Sequence, residues 1–379
     1  MKIVIAPDSF KGSLSALEVS NAIERGIKKV LPETETIKLP MADGGEGTVE
    51  ALVTSTKGRI EHQSARGPLG EAVEAHYGIL GDGQTAVIEM ASASGLPLVP
   101  PAKRNPLLTT TFGTGELILA ALGKGCREFI IGIGGSATTD CGTGMAQALG
   151  VEFFDQAGKK IESLINGELM GSVQEIDLSG LPPEILASRF TVACDVDNPL
   201  LGPKGAAHVY APQKGATPEM VTQLETNMTR FADVLESSIG KFVRNIPGAG
   251  AAGGLGAGLI AFVNGTLKLG IEIVLEASQF ARRISGASLI ISGEGKIDFQ
   301  TAFGKTMSGV AREAKKQNIP VIGIGGMVDA NLENLHQLGI NSFFSICNEP
   351  MTLEDALANA APLVETISER IIRAVMLAI

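Results

Sequence analysis

Short apolar stretches alternate with amphipathic helical patterns at both ends of the chain, and this alternation constrains the fold more than any other feature of the sequence. Each apolar stretch has the length and the β-branched content of a buried strand. The predicted strands lie at 2–5, 36–39, 287–291, 320–324 and 342–346. Ser15 and Glu18 form a capping box at the start of the first predicted helix, and one long final helix is predicted from residue 353. In the middle of the chain, residues 218–239 are predicted as an amphipathic helix. Strands that alternate with helices are typical of a parallel sheet covered by helices, so the two chain ends are predicted to form one doubly wound α/β domain.

The middle of the chain follows a different pattern. Residues 74–80 and 85–90 alternate or run apolar around a Gly-Asp-Gly turn, which predicts a β-hairpin rather than another strand and helix pair. We therefore expect two domains. Residues 1–64 and 287–379 would form the α/β domain, and residues 65–286 would form a mixed α/β domain inserted between its halves.

Composition and charge exclude several classes of protein. Hydrophobic residues make up 44% of the 379 residues, which is too many for a largely disordered chain. The formal charge of −10 argues against nucleic-acid binding, because phosphate neutralisation needs a basic surface. The four cysteines are widely spaced and indicate neither a zinc site nor a disulfide framework. Without a signal peptide or an apolar run long enough to span a membrane, we expect a cytoplasmic protein with no membrane partner.

A loop of glycines and hydroxyl residues follows a strand-like stretch, residues 129–133, near the middle of the chain. Gly134 and Gly135 let the backbone turn sharply and come close to a ligand. Ser136, Thr138, Thr139 and Asp140 are residue types that cap helix N-termini, where free backbone N–H groups and the helix dipole attract anions. The loop therefore indicates a phosphate-binding site.

Two other interpretations of this loop stay open. It could be a strand-to-helix turn whose glycines serve packing alone, since glycine motifs have a high false-positive rate. It could also be a dinucleotide fingerprint, because Gly132, Gly134 and Ala137 match G-x-G-x-x-A and Glu152 lies where a ribose ligand is expected. Glycines at 142 and 144 would interrupt the helix that a dinucleotide site needs, so we favour a phosphate loop of another kind.

Polar loops follow the first two predicted strands. Asp8 and Lys11 come after the first strand, and Asp43 and Glu46 lie in an Asp-Gly-Gly-Glu-Gly run after the second. Open α/β sheets bind ligands at the carboxyl ends of their strands, so we expect these four side chains to share a location. A solvated lysine and turn-forming carboxylates would explain the same residues without a ligand.

Carboxylates also follow a strand predicted at 189–193. Asp195 and Asp197 precede a proline there, a set that suits Mg²⁺ coordination, a general base, or a turn without a ligand. Lys214 is an isolated lysine in a tight loop. The glycine-rich run at 247–258 has no serine and no charge, so it predicts a packed helix start rather than a flexible linker.

Several of these motifs, taken in order, resemble the bacterial glycerate kinases nearly from end to end. The motifs are Ala6-Pro7-Asp8-Ser9-Phe10-Lys11, Ala42-Asp43-Gly44-Gly45-Glu46-Gly47-Thr48, Gly132-Ile133-Gly134-Gly135-Ser136-Ala137-Thr138, Pro212-Gln213-Lys214-Gly215-Ala216 and Gly293-Glu294-Gly295-Lys296-Ile297-Asp298. The resemblance implies ATP-dependent phosphorylation of D-glycerate, usually at the 2-hydroxyl, to give 2-phospho-D-glycerate. It also implies a flavodoxin-like domain formed by both chain ends and an inserted, restriction-enzyme-like domain.

Phosphoryl transfer explains why such residue types would gather, because the protein supplies N–H cradles, cations, Mg²⁺ and an oriented hydroxyl rather than covalent chemistry. The site residues expected on this basis are Gly134, Gly135, Ser136 and Thr138 for phosphate, Asp43, Glu46, Glu294 and Asp298 for Mg²⁺, and Lys11, Lys214 and Asp195 for catalysis. Lys11 and Lys214 would neutralise the γ-phosphate or the glycerate carboxylate. Asp195 would be the base that orients the attacking hydroxyl.

Three alternatives remain at this point. The enzyme could phosphorylate the 3-hydroxyl instead of the 2-hydroxyl. It could be an NAD-dependent oxidoreductase that uses the turn at Gly132, Gly134 and Ala137. It could also be a non-catalytic protein that keeps only the anion cradle. In the favoured interpretation the partner is a small molecule, D-glycerate, in organic acid catabolism, and the sequence leaves open whether the chain forms a homo-oligomer.

Overall fold

The structure is a computed structural model that describes residues 1–302 and 305–377. The chain divides into two compact units. The first unit contains residues 1–43 and 50–57 and the described residues from 271 onward, and the second contains residues 44–49 and 58–270. The inserted domain expected from the sequence spans residues 65–286, and those boundaries stay a prediction.

The described residues form strands and helices in an alternating order at both chain ends. The strands are β1 (Lys2–Ile5), β2 (Glu35–Lys38), β3 (Arg59–Arg66), β4 (Ala72–Ile79), β5 (Thr85–Glu89), β6 (Glu128–Gly132), β7 (Glu152–Phe154), β8 (Glu175–Asp177), β9 (Arg189–Ala193), β10 (Thr266–Lys268), β11 (Leu289–Ile297), β12 (Val321–Val328) and β13 (Ile340–Ser345).

The helices, some of a single turn, are α1 (Ala16–Val30), α2 (Thr48–Thr56), α3 (Ala91–Ser94), α4 (Phe112–Gly123), α5 (Thr143–Ala148), α6 (Pro183–Leu186), α7 (Ala206–Tyr210), α8 (Pro218–Ile239), α9 (Ala251–Val263), α10 (Gly270–Ala277), α11 (Phe280–Arg283), α12 (Thr306–Lys316), α13 (Glu333–Leu338), α14 (Leu353–Ala358) and α15 (Ala360–Val375). None of the described helices combines the length and the apolar composition needed to cross a bilayer.

The first unit is built on a five-stranded parallel sheet with the order β2-β1-β11-β12-β13. Counted in the order in which the chain forms them, the strands run 2-1-3-4-5, which is the flavodoxin-like arrangement. Both chain ends supply strands, since β1 and β2 come from the start and the other three from the end. The predicted α/β fold class, with a doubly wound domain formed by both chain ends, is confirmed.

Helices pack on both faces of this sheet because successive strand residues point to opposite sides. Ile3 and Ile5 of β1 share a buried core with residues of α1 and α15. On the other face, Gly323 of β12 lies close to Met307 of α12. The helix α1 begins at a capping box in which Ser15 and Glu18 satisfy each other's backbone N–H groups, as their spacing in the sequence predicts.

Two strands of the first unit run further than the sequence analysis predicts. The stretch Ser292–Ile297, expected as a loop, continues β11, and its partner β12 extends to Val328 instead of ending near 324. The ladder between them reaches the pair Ile297 and Val328. Glu294 and Lys296 are therefore strand residues that share one face of the extension.

The second unit contains a six-stranded mixed sheet with the order β10-β9-β6-β5-β4-β3. The predicted hairpin is present as the antiparallel pair β4 and β5. From β5 onward the neighbouring strands β5, β6, β9 and β10 are all parallel, so their carboxyl ends lie at one edge. A separate antiparallel pair, β7 and β8, stands outside this sheet.

Candidate active site

Asp8 is the central acidic residue of the first unit's carboxyl edge. It follows β1, is only 8% exposed, and accepts a hydrogen bond of 2.6 Å from the hydroxyl of Thr306, the first residue of α12. Burial raises the pKa of Asp8 above its ordinary value, and the charge of Asp43 raises it further. An ionised Asp8 is therefore favoured by a cation or by the positive end of α12.

Glu294 is a second partly buried carboxylate at this edge. Its Oε1 accepts a hydrogen bond of 2.6 Å from the hydroxyl of Thr301. Burial raises the pKa of Glu294 to about 7, and the charge of Asp8 contributes in the same direction. Glu294 is consequently held close to a neighbouring acid, which is the arrangement that a bound cation would relieve.

Asp298, the fourth predicted Mg²⁺ ligand, already has a positive partner. The ammonium group of Lys296 lies 3.0 Å from Asp298 Oδ2, and this hydrogen bond lowers the pKa of Asp298. Its Oδ1 accepts the backbone N–H of Gln300 and so caps the short 3₁₀ turn at 299–302. These contacts hold the turn that carries Thr301, so Asp298 has a structural task whether or not it binds a metal.

A cavity of about 600 Å³ opens at this edge of the first unit. Its charged lining consists of Asp8, Lys11, Asp43, Glu294, Lys296 and Lys305. The strand order reverses between β1 and β11, since β2 lies to one side and β12 and β13 to the other. Flavodoxin-like sheets bind ligands at this topological switch point, and the charged groups lie on the strands that flank it.

The carboxylates of the cavity fit a magnesium ion that is bound partly by substrate. Within residues 1–302 and 305–377 no group of three or more His, Cys, Asp or Glu side chains is arranged to hold a metal ion by itself. Mg²⁺ characteristically uses one or two carboxylates, waters and phosphate oxygens. Asp8, Asp43 and Glu294 supply such oxygens, and burial raises the pKa values of Asp8 and Glu294, so a bound Mg²⁺ would stabilise their ionised forms.

In the second unit the glycine loop does not lead directly into a helix. Gly134 and Gly135 form an exposed turn at the end of β6, but Ser136 and Thr138 are buried in an extended segment. The helix α5 begins only at Thr143. The expectation that Ser136 and Thr138 cap a helix is therefore wrong, because backbone pairing with residues 94–96 takes up this segment.

Lys214 is bound underneath this loop. The side chain is 1% exposed, and its ammonium group donates to Ser136 Oγ at 2.8 Å and to the carbonyl oxygen of Thr138 at 2.6 Å. Burial lowers the pKa of Lys214 to about 7, and the charge of Asp140 only partly opposes this. The loop thus rests on a buried lysine whose two hydrogen-bond partners, a hydroxyl and a carbonyl oxygen, are both uncharged.

Asp140 fixes the end of the loop. Its carboxylate is fully buried and accepts the backbone N–H of Thr111 at 2.8 Å and the hydroxyl of the same residue at 2.8 Å. It also accepts the N–H groups of Gly142 and Gly144 before and in the first turn of α5, so of the four expected capping residues Asp140 is the one that caps. Burial raises the pKa of Asp140 despite these bonds.

Two threonine hydroxyls beside the loop have no hydrogen-bond partner among the described residues. They belong to Thr138 and Thr139, both fully buried. The glycine-rich run that was predicted as a packed helix start contacts this segment. Gly253 has a left-handed φ of +69°, and a Cβ at this position would lie 2.0 Å from the carbonyl oxygen of Thr138. Unpaired buried hydroxyls are unusual and mark a place where a polar ligand would be stabilised.

Asp195 and Glu46 belong to the carboxyl edge of the second unit's sheet. Asp195 follows β9, is exposed, and accepts the backbone N–H of Gly270 at 2.8 Å. The segment 44–49 crosses the same edge, because a Cβ at Gly44 would lie 2.4 Å from Ala193, the last residue of β9. Glu46 is exposed on that segment.

The dinucleotide interpretation of the glycine loop does not fit the structure. A Rossmann site needs a helix whose N-terminus meets the pyrophosphate directly after the glycines, and α5 begins several residues later. Glu152, the expected ribose ligand, lies on β7 in the separate two-stranded sheet and forms an ion pair of 2.6 Å with Lys160. We therefore set aside an NAD-dependent oxidoreductase.

The predicted site residues fall into two groups, one in each unit. Lys11, Asp43 and Glu294 line the cavity of the first unit, and Asp298 lies beside Lys296 at its rim. Gly134, Gly135, Ser136, Thr138, Lys214, Asp195 and Glu46 belong to the second unit. Asp8 was located from the sequence without a role, and Lys305 and Thr306 were considered only as the end of a Walker-like motif that the preceding residues do not complete. The adjacent Lys-Thr pair at a helix start was the available signal for these two.

A family comparison agrees with the motif resemblance. The family model described as the glycerate kinase family matches residues 3–376. A relative from Bacillus subtilis (strain 168), named glycerate kinase, is 53% identical over 378 residues, which is 100% of this chain and 98% of that protein. A relative from Escherichia coli (strain K12), named glycerate 2-kinase, is 50% identical over 360 residues, 95% of this chain and 94% of that protein.

The fold agrees as well. A crystal structure from Salmonella typhimurium LT2 that carries the name glycerate kinase 2 matches with a TM-score of 0.91 and 49% sequence identity. The match covers 100% of this chain and 99% of the other. The aligned region therefore includes every strand and loop that carries a predicted site residue.

Proposed function

Because this chain belongs to the glycerate kinase family, we propose that it transfers the terminal phosphoryl group of ATP to the 2-hydroxyl of D-glycerate, giving 2-phospho-D-glycerate in organic acid catabolism. Family membership makes the chain a kinase, that is, a phosphotransferase with an alcohol group as acceptor, and its substrate a small molecule. The regiochemistry rests on the likeness to the Escherichia coli protein named glycerate 2-kinase.

The observation that carries the proposal is the charged cavity of the first unit. Lys11 and Lys305 line it together with the carboxylates Asp8, Asp43 and Glu294. The migrating phosphoryl group and its leaving group are highly anionic, so catalysis depends on cations placed around oriented phosphates. A pocket that combines ammonium groups with carboxylates can bind a phosphate chain and the divalent ion that accompanies it.

The Mg²⁺ ion would be held by Asp8, Asp43 and Glu294 together with phosphate oxygens. Two further ligands proposed from the sequence are Glu46 and Asp298. When bound, this ion would neutralise charge that develops on the phosphate oxygens during transfer. Lys11 is exposed in the loop after β1, where its ammonium group is open to a bound phosphate, whereas Lys305 is half-buried directly before α12. Lys11 is therefore the proposed ligand of the transferred group.

The glycine loop of the second unit is the proposed cradle for an anion of the reaction. Gly134 and Gly135 present an exposed turn, while Ser136 and Thr138 lie behind it on Lys214. The buried ammonium group supplies positive charge in a region of low dielectric, where an anion at the turn would interact strongly with it. A phosphate group fits this cradle best, because it carries more charge than a carboxylate.

Asp195 is the proposed base that orients the glycerate hydroxyl. Its carboxylate is exposed and is positioned by the N–H of Gly270. A base needs access to substrate together with a fixed orientation, and Asp195 has both. Lys214, in contrast, acts on the loop from behind and would stabilise charge rather than move a proton.

Two measurements test the proposal. The purified protein should release ADP from ATP only when D-glycerate is present, in a coupled assay. A proton and phosphorus NMR spectrum of the product should then show the phosphate on the central carbon. Phosphate on the terminal carbon would show that the 3-hydroxyl, not the 2-hydroxyl, is the acceptor. If ADP release does not depend on D-glycerate, the proposed kinase activity itself is contradicted.

A further inference from the structure

The cavity of the first unit changes character from one side to the other. The residues of its charged end are Asp8, Lys11, Asp43, Glu294 and Lys305, and those of its apolar end are Met327, Ile346, Met351, Ala356 and Leu357. The sheet explains this division. Charged-end residues follow β1 and β2, lie on β11 or directly precede α12, whereas apolar-end residues lie on β12, follow β13 or belong to α14 and the segment before it.

The apolar end includes side chains that are unusually exposed for their type. Met327 is 53% exposed and Leu357 is 38% exposed, and Leu353 beside them is 76% exposed. Single exposed apolar residues need no explanation, but these three line one cavity next to a set of charges. An amphipathic ligand would cover the apolar group and satisfy the charges at the same time.

The short helix α14 forms the wall of the apolar end and is attached to the loop after β1. The hydroxyl of Ser13 donates a hydrogen bond of 2.9 Å to the carbonyl oxygen of Leu357. Thr352 caps the helix by accepting the N–H of Asp355. Phe10, from the same loop as Ser13, is 3% exposed and lines the cavity as well. The apolar wall is therefore a built part of the unit.

We propose that this cavity is the binding site for the whole adenine nucleotide, with the base at the apolar end and the phosphate chain at the charged end. Neighbouring strands lie about 4.8 Å apart, so the step from β11 to β13 is roughly 10 Å, which suits the span from a phosphate chain across a ribose to a base. The inference rests on the proposed kinase function and deepens it. The glycine loop of the second unit then need not bind the base.

Glycerate does not fit this cavity. It is a three-carbon acid with no apolar group, so it would leave the exposed side chains of the apolar end uncovered. A cavity of about 600 Å³ is in the usual range for larger ligands, and a purine ring has the flat apolar faces that methionine and leucine side chains contact well. Of the two substrates, ATP and D-glycerate, only the nucleotide therefore matches the chemistry of the cavity lining.

A matched pair of substitutions on α14 tests the inference. Ala356 lines the cavity, whereas Ala358 on the same helix does not. Ala356→Phe should raise the KM for ATP and weaken ADP binding at least tenfold, with the KM for D-glycerate and the kcat at saturating ATP changed less than threefold. Ala358→Phe should leave all of these values unchanged. Equal effects of the two substitutions on ADP binding would overturn the inference.

Cys347 offers a second test that needs no variant. It lines the cavity and is the one partly exposed cysteine of the four, since Cys126, Cys141 and Cys194 are buried. In the unmodified protein, ADP and adenosine should slow the alkylation of Cys347 at least fivefold, and D-glycerate should not. Protection by D-glycerate instead of ADP would overturn the inference, while glycerate-dependent ADP release would still support the kinase.

Discussion

The two units bring polar groups to the carboxyl edges of parallel strands, but the buried charge that each leaves for a ligand differs in sign. In the first unit the buried charges are the carboxylates Asp8 and Glu294, whose pKa values burial raises. The second unit buries both signs beside its loop, but the Asp140 carboxylate already accepts several hydrogen bonds from Thr111, Gly142 and Gly144. The buried charge left for a ligand there is the ammonium of Lys214, whose pKa burial lowers to about 7. Sheet topology places both sites, and the residue type that is buried there decides which ligand charge each site stabilises.

This difference predicts that one edge serves a cation bound with a phosphate chain, and that the other serves an anion. It also separates the groups that bind phosphate and metal from the group that accepts a proton. Of the three predicted catalytic residues, only Asp195 is a carboxylate, and it is exposed in the second unit, so it is the candidate base. The predictions that follow test these assignments, beginning with the largest expected effect.

Asp195→Asn should lower kcat at least a hundredfold with folding intact, because a positioned base commonly contributes about 10²–10⁴-fold to proton transfer. The amide keeps the size of the side chain and can still accept the N–H of Gly270. Steady-state assays with D-glycerate measure the effect. The control is Asp177→Asn, at a strand end where the carboxylate also accepts a backbone N–H. A loss of less than tenfold for Asp195→Asn would mean that it is not the base.

Asp140→Ala should lower the free energy of unfolding by about 3 kcal/mol or more, because several buried donors lose a common acceptor. Asp82→Ala removes a carboxylate that accepts comparable bonds in an exposed turn and should cost about 1 kcal/mol. Urea unfolding measures both. Similar losses for the two variants would show that burial does not strengthen the role of Asp140.

Glu294→Gln should weaken the apparent affinity for Mg²⁺ in the presence of ADP by about tenfold or more, since the substitution removes a charged oxygen ligand from the cavity. Isothermal titration of Mg²⁺ into the protein with ADP measures the affinity directly. Glu333→Gln, an exposed position at the start of α13, is the control. If both variants bind Mg²⁺ like the unmodified protein, Glu294 is not a ligand.

Much of the fold could be predicted from local patterns. The capping box at Ser15 fixed the start of α1, and helix α8 begins and ends at the residues expected from its amphipathic spacing. The last helix was predicted as one element but is two, α14 and α15. Pro362 has no N–H, and its ring would clash with the carbonyl of Ala358 in a continuous helix, so the break falls there.

Elements that depend on partners far away in the chain were harder to predict. The stretch Ser292–Ile297 was expected as a loop because of its glycines, yet it continues β11 through pairing with β12. The strand β3 was not predicted either, since it is mostly exposed and polar and is stabilised by its ladder with β4. Local propensity underestimates such strands because their hydrogen bonds come from a neighbour.

The candidate site could be predicted as a set of residue types but not in its electrostatics. Carboxylates and lysines at strand ends are visible in the sequence, and Lys11, Asp43 and Glu294 do line one cavity. The burial of Lys214 was not visible, because it results from packing of the loop after Pro212 against Ser136 and Thr138. A pKa shift caused by desolvation needs the tertiary structure.

The smallest expected effect is a pH dependence of anion binding at the loop of the second unit. Lys214 carries its proton below a pKa of about 7 and loses it above, so an anion held near it should bind more weakly as the pH rises. Sulfate keeps its charge over this range and serves as the probe. Its affinity should fall up to tenfold between pH 6.5 and pH 8.5, as measured by the sulfate-induced rise in melting temperature.

Lys214→Met should remove this pH dependence, because the thioether fills similar space without a charge. Lys204→Met, at an exposed position, should retain it. The fall with rising pH distinguishes Lys214 from an ordinary surface lysine, which would stay charged throughout the range. A slope that persists in Lys214→Met would place the titrating group elsewhere, and the contrast between an acidic first edge and a basic second edge would lose its strongest support.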